Sequence, residues 1–205
     1  RYGVSQTSKG RALRWLAHDK SNEIRALLEV NRAENYIQFV EALKDYTCPG
    51  QNFAYADIHG NIAIWHSGNQ PAKWDGQGMY IMDGNNPLYD WQAIIPHNQK
   101  PHIINPKRGY VSSANQHVTN EDYPYFLSPF FWLSYRGTEI NRNLDKLKSA
   151  TINDMIKLQY DNTNSKARNV IPVLLNILKP ELINDLGNLW ISKLKKWDYK
   201  NSKQS

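Results

Sequence analysis

The chain of 205 residues is long enough for one large domain, and its hydrophobic content of 40% permits a globular core. Lys and Arg outnumber Asp and Glu by 25 to 19, which gives a net charge of +6. The excess lies between Lys193 and Lys203, after a predicted helix, where cations complement the helix dipole. This placement favours a solvated helix end over a nucleic-acid surface. A single cysteine excludes an intrachain disulfide, and no apolar run reaches the length of a membrane span.

The first part of the chain is predicted to be helical. Apolar residues recur at helical spacing in two stretches, residues 24–28 and 36–43. Asn31, with Glu34 three positions later, is the predicted cap of the second helix. A Cys-Pro-Gly run at residues 48–50 then ends the helical region.

Residues 52–66 are predicted to form a β-hairpin. Two short apolar runs flank the turn at residues 57–61, where His59-Gly60 supplies a tight reversal. Because both runs are apolar on both faces, we expect the hairpin to be buried on both sides, as in a layered sandwich. The following residues, 67–106, are rich in Gly, Pro and Asn and predict a long loop, for which covering a substrate site is one use.

The stretch NPKRGYVSSANQH, residues 105–117, poses a local question. Its middle part, residues 110–113, is predicted to be a short strand that ends in the carboxamides Asn115 and Gln116. Such a pair either closes a loop or points amide donors at a ligand.

Four helices are predicted from residue 137 to the C-terminal region. Thr151, with Asp154 three positions later, predicts a capping box for the second of them. Pro172 predicts either a kink in the third or a helix start near Asn169. The fourth has Leu182 as its first apolar residue.

Motifs of common catalytic sites are missing from the sequence. The six histidines lack HxH and HExxH spacing and cysteine partners, which argues against a zinc site. Glycine-rich phosphate loops and a GxSxG elbow do not occur, and the aspartates lack EF-hand spacing. The residues alone therefore indicate a mixed α/β globular piece with an aromatic, loop-covered face.

Four ordered blocks resemble the penicillin-acylase family of amidohydrolases. They are QNFAYADIHGNIAIWHSG (51–68), NPKRGYVSSANQ followed by DYPYFL (105–127), YRGTEINRNL (135–144) and LQYDNTNSKARNVIPVLLNIL (158–178). The resemblance implies an internal fragment of the β chain of an N-terminal-nucleophile hydrolase. It also implies an α+β fold, part of an αββα sandwich in which two stacked antiparallel sheets lie between helical layers. We expect one fragment, residues 1–205, that is helical over 1–48, has strands and long loops over 49–135, and is helical again over 136–205.

The resemblance implies a self-cleaving precursor, an autoproteolytic zymogen that frees a serine at the N-terminus of its β chain. The α-amino group of that serine takes the hydroxyl proton, directly or through a water. This sequence begins at Arg1 and shows no such serine. We therefore expect the nucleophile on the remainder of the parent chain, the α subunit and the N-terminal part of the β subunit, and we expect the fragment alone to be inactive. The substrate would be a small N-acyl amide, of the penicillin, cephalosporin or acyl-homoserine lactone type, and penicillins connect the family to antibiotic biosynthesis.

Three site residues follow from the resemblance. Asn115 would donate its side-chain N–H to the tetrahedral oxyanion, and Arg136 would hold the nucleophile's amine and the asparagine in place. Gln51 would line the acyl pocket. We expect Asn115 and Arg136 to lie close together on one side of the sheet. The alternatives are that Asn115 only closes a loop, and that Arg136 forms a salt bridge at a helix start with Glu139 or Asp145.

The resemblance implies no cofactor beyond the structural calcium that many relatives bind, partly through an aspartate between the DYP block and the arginine. The corresponding interval here is YFLSPFFWLSY, which has no aspartate, so we expect no metal site in this piece. An exported, periplasmic or secreted protein is suggested by resemblance only. Two alternatives stay open: a non-catalytic ligand-binding or structural relative, and a basic interaction module that uses the C-terminal lysines.

Overall fold

A computed structural model describes residues 10–128, 130–179 and 183–203. The chain divides into two compact units, the first ending at Trp132 and the second beginning at Leu133. Both helices and antiparallel strands are present. Of the helices in the described residues, none is both long enough and apolar enough to cross a membrane.

The described part of the first unit combines helices with short strands. The helices are α1 (Glu23–Arg32) and α2 (Tyr36–Ala42), and the strands are β1 (Gln51–Ala56), β2 (Ile62–Ser67), β3 (Pro71–Ala72), β4 (Ala93–Ile94) and β5 (His102–Ile104). The antiparallel main sheet has the order β1-β2-β5, and β3 pairs with β4 in a separate two-stranded sheet.

The predicted cap of the second helix is wrong. Asn31 lies inside α1, and the cap of α2 is Asn35, whose side chain accepts a hydrogen bond from the backbone N–H of Gln38 at 3.0 Å. The reason is that α1 continues to Arg32, so the chain reverses only over residues 33–35.

The predicted hairpin is confirmed, with β1 and β2 paired from Gln51–Ser67 to Ala56–Ile62. Its burial, however, is one-sided. In β2 the buried residues alternate with half-buried ones, so only one face of the hairpin is covered within the first unit. The prediction of burial on both faces fails because Asn52, Ile64 and His66 on the second face border an open cavity.

The covered face of the sheet packs on α1 and α2 around Trp65. Phe39, Leu43 and Trp65 form the buried cluster, with Phe53 and Tyr55 packed against it. The Trp65 indole donates to the hydroxyl of Tyr36 at 2.9 Å, so its polar atom is satisfied inside the core. The indole also stacks on the rings of His102 and His97, at centroid distances of 4.0 and 4.9 Å.

The predicted long loop contains structure that the sequence pattern did not reveal. β3, β4 and β5 all lie within or at the end of residues 67–106. Ile95 and Gln77 are almost fully buried there, and the side-chain amide of Gln77 donates to the carbonyl of Tyr89 at 2.9 Å. The hydrogen bond of this buried glutamine therefore holds two parts of the loop together, where the strands are short.

The described part of the second unit consists of helices. They are α3 (Tyr135–Leu144), α4 (Ile152–Gln159), α5 (Ser165–Ile177) and α6 (Asp185–Lys196). The capping box of Thr151 and Asp154 is confirmed at the start of α4. Pro172 lies inside α5, which begins at Ser165, so a start near Asn169 is wrong. The predicted first apolar residue of the last helix, Leu182, is outside the described residues.

We predict that Asp57 makes hairpin stability depend on pH. Its carboxylate accepts hydrogen bonds from the backbone and side chain of Asn61, both at 2.8 Å, from the His59 N–H at 2.9 Å and from the Tyr55 hydroxyl at 3.0 Å. The bonds from Asn61 above all lower the pKa of Asp57 to about 2. The carboxylate therefore stabilises the fold fully above its ordinary pKa of 3.8, and this contribution is lost as the pH falls toward 2.

Asp57→Asn should lower the thermal midpoint at pH 7, and the gap from the wild type should shrink between pH 4 and pH 2. Asp75→Asn, which removes a carboxylate from an exposed loop position, is the control and should leave both curves nearly unchanged. A gap that is the same at pH 7 and pH 2 would show that the carboxylate does not hold the turn.

Candidate catalytic site

The segment before Asn115 is not a strand. Residues 110–113 lie outside any sheet, and a turn closed by the Gly109 N–H on the Pro106 carbonyl, at 2.9 Å, precedes them. A side chain accepts a backbone hydrogen bond that a neighbouring strand would otherwise accept: the N–H of Ala114 donates to the Gln116 side-chain oxygen at 2.7 Å. Short polar side chains thus compete with strand pairing, and the prediction that Asn115 ends a strand is wrong.

Asn115 occupies a left-handed backbone conformation, with φ of 64°. Asn tolerates this region better than most residues with a Cβ, but surrounding contacts must still hold it. The Asn115 carbonyl accepts a hydrogen bond from the Trp132 N–H at 3.1 Å, and the Asn115 N–H lies 3.5 Å from the Ser113 hydroxyl oxygen. Ala114 is buried just before it, while Asn115 itself is exposed. The turn therefore presents Asn115 at the surface of the first unit.

A hydrogen-bonded network ties this turn to the main sheet. The Asn52 side-chain amide donates to the Ser113 hydroxyl oxygen at 2.7 Å, and the Asn52 side-chain oxygen lies 2.9 Å from His66 Nδ1. Asn52 and His66 are directly opposite each other in the β1–β2 register, so their side chains share one sheet face. We call these three residues the His66–Asn52–Ser113 network.

The network fixes the protonation of His66. An amide oxygen can only accept, so Nδ1 of His66 carries the hydrogen in this contact. Burial lowers the pKa of His66, and the charge of the nearby Lys100 lowers it further. The ring is therefore neutral at neutral pH and donates through Nδ1 to the Asn52 oxygen.

A cavity of about 350 Å³ lies over this face of the sheet. The network lines it, together with Gln116, His117 and Arg108. Asn115 is not among the lining residues, but it lies in the sequence between two of them, Ser113 and Gln116. The polar lining and the turn at Asn115 make this region the candidate site of the first unit.

Gln51, which the resemblance places in the acyl pocket, is exposed at the first position of β1. Because side chains alternate along a strand, Gln51 faces the opposite side of the sheet from Asn52. The cavity lining includes Asn52 and not Gln51. The sequence interpretation missed Asn52 and His66. The position of the hairpin turn would have predicted the strand register, and this register places the two residues opposite each other.

Arg136 belongs to the second unit, where it is the second residue of α3 and is exposed. The start of α3 is anchored by Ser165, whose hydroxyl donates to the carbonyl of Tyr135 at 2.7 Å. Ser165 is itself buried at the first turn of α5. Arg136 therefore projects from a helix end that α5 holds in place, and its closeness to Asn115 stays a prediction.

The carboxylate of Glu139 is the centre of an ion-pair cluster one turn further along α3. It accepts hydrogen bonds from both terminal nitrogens of Arg168 on α5, one of them at 3.1 Å, and from Arg142 at 3.3 Å. Its side chain is only 12% exposed. The acid that the sequence offered as a partner of Arg136 thus joins α3 to α5 through Arg168.

The resemblance implies a structural calcium in many relatives, whose ligands would be oxygen atoms. In the described ranges, no three His, Cys, Asp or Glu side chains are grouped so that they could hold a metal ion. The interval between Tyr125 and Arg136 supplies no carboxylate, and hard cations such as calcium require oxygen ligands, carboxylates above all.

The fold can be compared with known structures. The thermostable penicillin G acylase from Alcaligenes faecalis superposes on 89% of this chain with a TM-score of 0.67 at 19% sequence identity, and the match covers 34% of that protein's chain. The match shows that this chain shares the α+β fold of that acylase, with helices and antiparallel strands.

A sequence model of the penicillin amidase family matches residues 1–205, and the chain belongs to this family. Penicillin G acylase of Escherichia coli is 28% identical over 152 residues, which is 72% of this chain and 18% of that protein. The acyl-homoserine lactone acylase QuiP of Pseudomonas aeruginosa is 24% identical over 155 residues, 76% of this chain and 18% of that protein. The chain thus spans about a fifth of the length of these relatives.

We predict that Glu139→Ala lowers the free energy of unfolding by about 1–3 kcal/mol, because Arg168 loses the carboxylate that neutralises it. Thermal or denaturant unfolding followed by circular dichroism measures the loss. Glu121→Ala, at an exposed loop position, is the matched control and should change stability by less than about 0.5 kcal/mol. Equal effects of the two variants would contradict a stabilising role for the Glu139–Arg168 pair.

Proposed function

We propose that this chain is part of a longer acylase that hydrolyses the amide bond of a small N-acyl substrate through an acyl-enzyme intermediate. The family membership and the relatives named above support an amidohydrolase. The nucleophile in this proposal is an N-terminal serine on a part of the protein outside these 205 residues. Its α-amino group titrates near neutrality and is suited to take the hydroxyl proton.

The observation that carries the proposal is the turn at Asn115. A residue with a Cβ at a φ of 64° is held there at a conformational cost, and such outliers cluster at functional sites. Asn105, with a φ of 47°, shares this region, and its side chain accepts from the Ile62 N–H and donates to Asn61 on the hairpin. At Asn115 the contacts described above hold the backbone.

In the proposed cycle the serine oxygen attacks the amide carbonyl, and negative charge develops on the carbonyl oxygen. The Asn115 carboxamide donates an N–H to that oxygen. A neutral donor fixed in advance stabilises the charge without reorganising during the reaction. The α-ammonium group returns its proton to the leaving amine as the C–N bond breaks. Water then attacks the acyl-enzyme through a second oxyanion at the same donor, which releases the carboxylic acid and frees the serine.

Arg136 is proposed to organise the site from the start of α3, because its guanidinium is permanently charged and presents several donors in one plane. The anchoring of α3 by Ser165 and by the Glu139–Arg168 pair supports a fixed position for this helix end. Gln51 as an acyl-pocket residue remains a prediction from the resemblance.

The first test is Asn115→Ala in the complete gene product. Turnover of an N-acyl substrate such as a phenylacetyl amide should fall by roughly 100- to 1000-fold, because one oxyanion donor is lost. Asn115→Asp should be at least as impaired, since a carboxylate repels the oxyanion. Asn98→Ala, at an exposed position of the first unit, is the control and should retain full activity. Near-wild-type turnover by Asn115→Ala would remove Asn115 from the mechanism.

The second test compares Arg136→Lys with Arg136→Ala. Lysine keeps the charge but loses the planar arrangement of donors, so both variants should lower turnover on the order of 10- to 100-fold, corresponding to the loss of hydrogen bonds to a charged group. Steady-state kinetics with folded protein measures this. Full activity of the lysine variant would show that charge alone is required.

A further inference from the structure

We infer that the His66–Asn52–Ser113 network positions Asn115 for oxyanion stabilisation, an inference that rests on the proposed function. Three observations bear on it: the continuity of the hydrogen bonds, the rigidity of the platform on which they begin, and the backbone conformation at which they end.

The platform is the central hairpin. His66 lies on β2, the middle strand of the main sheet, and its backbone N–H donates to the Pro101 carbonyl at 2.9 Å next to β5. Directly opposite, Asn52 lies on β1. Side chains on paired strands of a sheet are placed more precisely than side chains on loops, so the network starts from well-fixed positions.

The hydrogen bonds of the network all donate in the same direction, from His66 to Asn52 and from Asn52 to Ser113. His66 donates through Nδ1 to the Asn52 side-chain oxygen, which orients the carboxamide so that its NH₂ group points to Ser113. The contact between Asn52 and Ser113 joins residues 61 positions apart in the sequence. It is therefore a tertiary contact between the sheet and the turn, and not a local turn bond.

The hydrogen bond from Asn52 fixes the position of Ser113, and Ser113 is part of the turn at Asn115. It lies two residues before Asn115, and its hydroxyl oxygen is next to the Asn115 N–H. At a distance of 3.5 Å that contact is too long to hold the turn alone. The bond from Asn52 fixes the entry of the turn, while the Trp132 N–H fixes its exit at the Asn115 carbonyl.

Asn52 and His66 are therefore positioning residues, which act on the reacting atoms through Asn115. A displacement of about 1 Å in a donor costs on the order of 100-fold in rate at most, while leaving substrate binding largely intact. We expect Ser113→Ala and Asn52→Ala to lower kcat by roughly 10- to 100-fold with KM changed by less than about threefold.

The test is a double-mutant cycle in the complete gene product with the same N-acyl substrate. Asn52→Ala and Ser113→Ala are each measured in the wild type and in an Asn115→Ala background. If the network acts through Asn115, neither change should lower kcat further once Asn115 is removed. An equal loss in both backgrounds would overturn the inference, because it would show a route independent of Asn115.

Conservative variants separate positioning from general stability. His66→Asn keeps a donor near the place of Nδ1 and should retain more kcat than His66→Leu, which has none. Tyr55→Phe is the control: it removes one hydrogen bond of the same hairpin, to Asp57, without touching the network, and should keep wild-type kcat. Equal losses for His66→Asn and His66→Leu would contradict the proposed donor.

Ser113→Ala removes one oxygen atom from a loop, so it still tests the inference if the Asn52 and His66 variants do not fold. Its thermal midpoint is measured together with its kcat to show that it is folded. If Asn115→Ala is fully active, the proposed role of Asn115 as the oxyanion donor fails, and the positioning inference fails with it. If Asn115→Ala is impaired and folded Ser113→Ala matches the wild type, only the positioning inference fails.

Discussion

The register of the β1–β2 hairpin is the constraint on which the rest of the first unit depends. The turn around Asp57 pairs Phe53 with Trp65 and Asn52 with His66. The first pair faces the helices and the second faces the cavity. Because side chains alternate along a strand, a slip of one residue would move the indole out of the core and the polar pair into it. The register of the hairpin thus sets both the packing of the core and the position of the polar pair at the candidate site.

The two faces of the sheet have different roles. On the covered face, aromatic rings fill the space below α1 and α2, and the one polar indole atom is satisfied by Tyr36. On the open face, a histidine and an asparagine support a turn that the chain reaches only after residue 105. Placing a functional residue on a loop next to a rigid sheet combines access for a substrate with a defined position. In the second unit, the Glu139–Arg168 pair plays a comparable supporting role for the helix that bears Arg136.

Features with local causes could be predicted from the sequence. The hairpin follows from two apolar runs around a Gly-containing turn, and the capping box at Thr151 follows from spacing alone. The cap at Asn35 was missed because two asparagines compete for the same task and only tertiary packing decides how far α1 extends. The short strands within residues 67–106 were missed because two or three residues carry no periodic signal.

The candidate site was only partly predictable, for related reasons. Asn115 and Arg136 could be named from resemblance, but the predicted strand before Asn115 was wrong, since Ser113 and Gln116 side chains occupy backbone groups of the turn. The pairing of Asn52 with His66 was readable in principle, because the hairpin turn sets the register. Its connection to Ser113 was not, since a contact across 61 residues leaves no trace in local spacing.

We propose Asn115 as an oxyanion donor that its turn holds in position before substrate binds. A crystal structure of the complete protein with a phosphonate transition-state analogue tests this most directly. We expect the Asn115 side-chain nitrogen to lie about 3 Å from the anionic oxygen of the analogue, with φ of Asn115 still positive. An analogue bound with that oxygen held by other donors, and the Asn115 carboxamide turned away from it, would contradict this role.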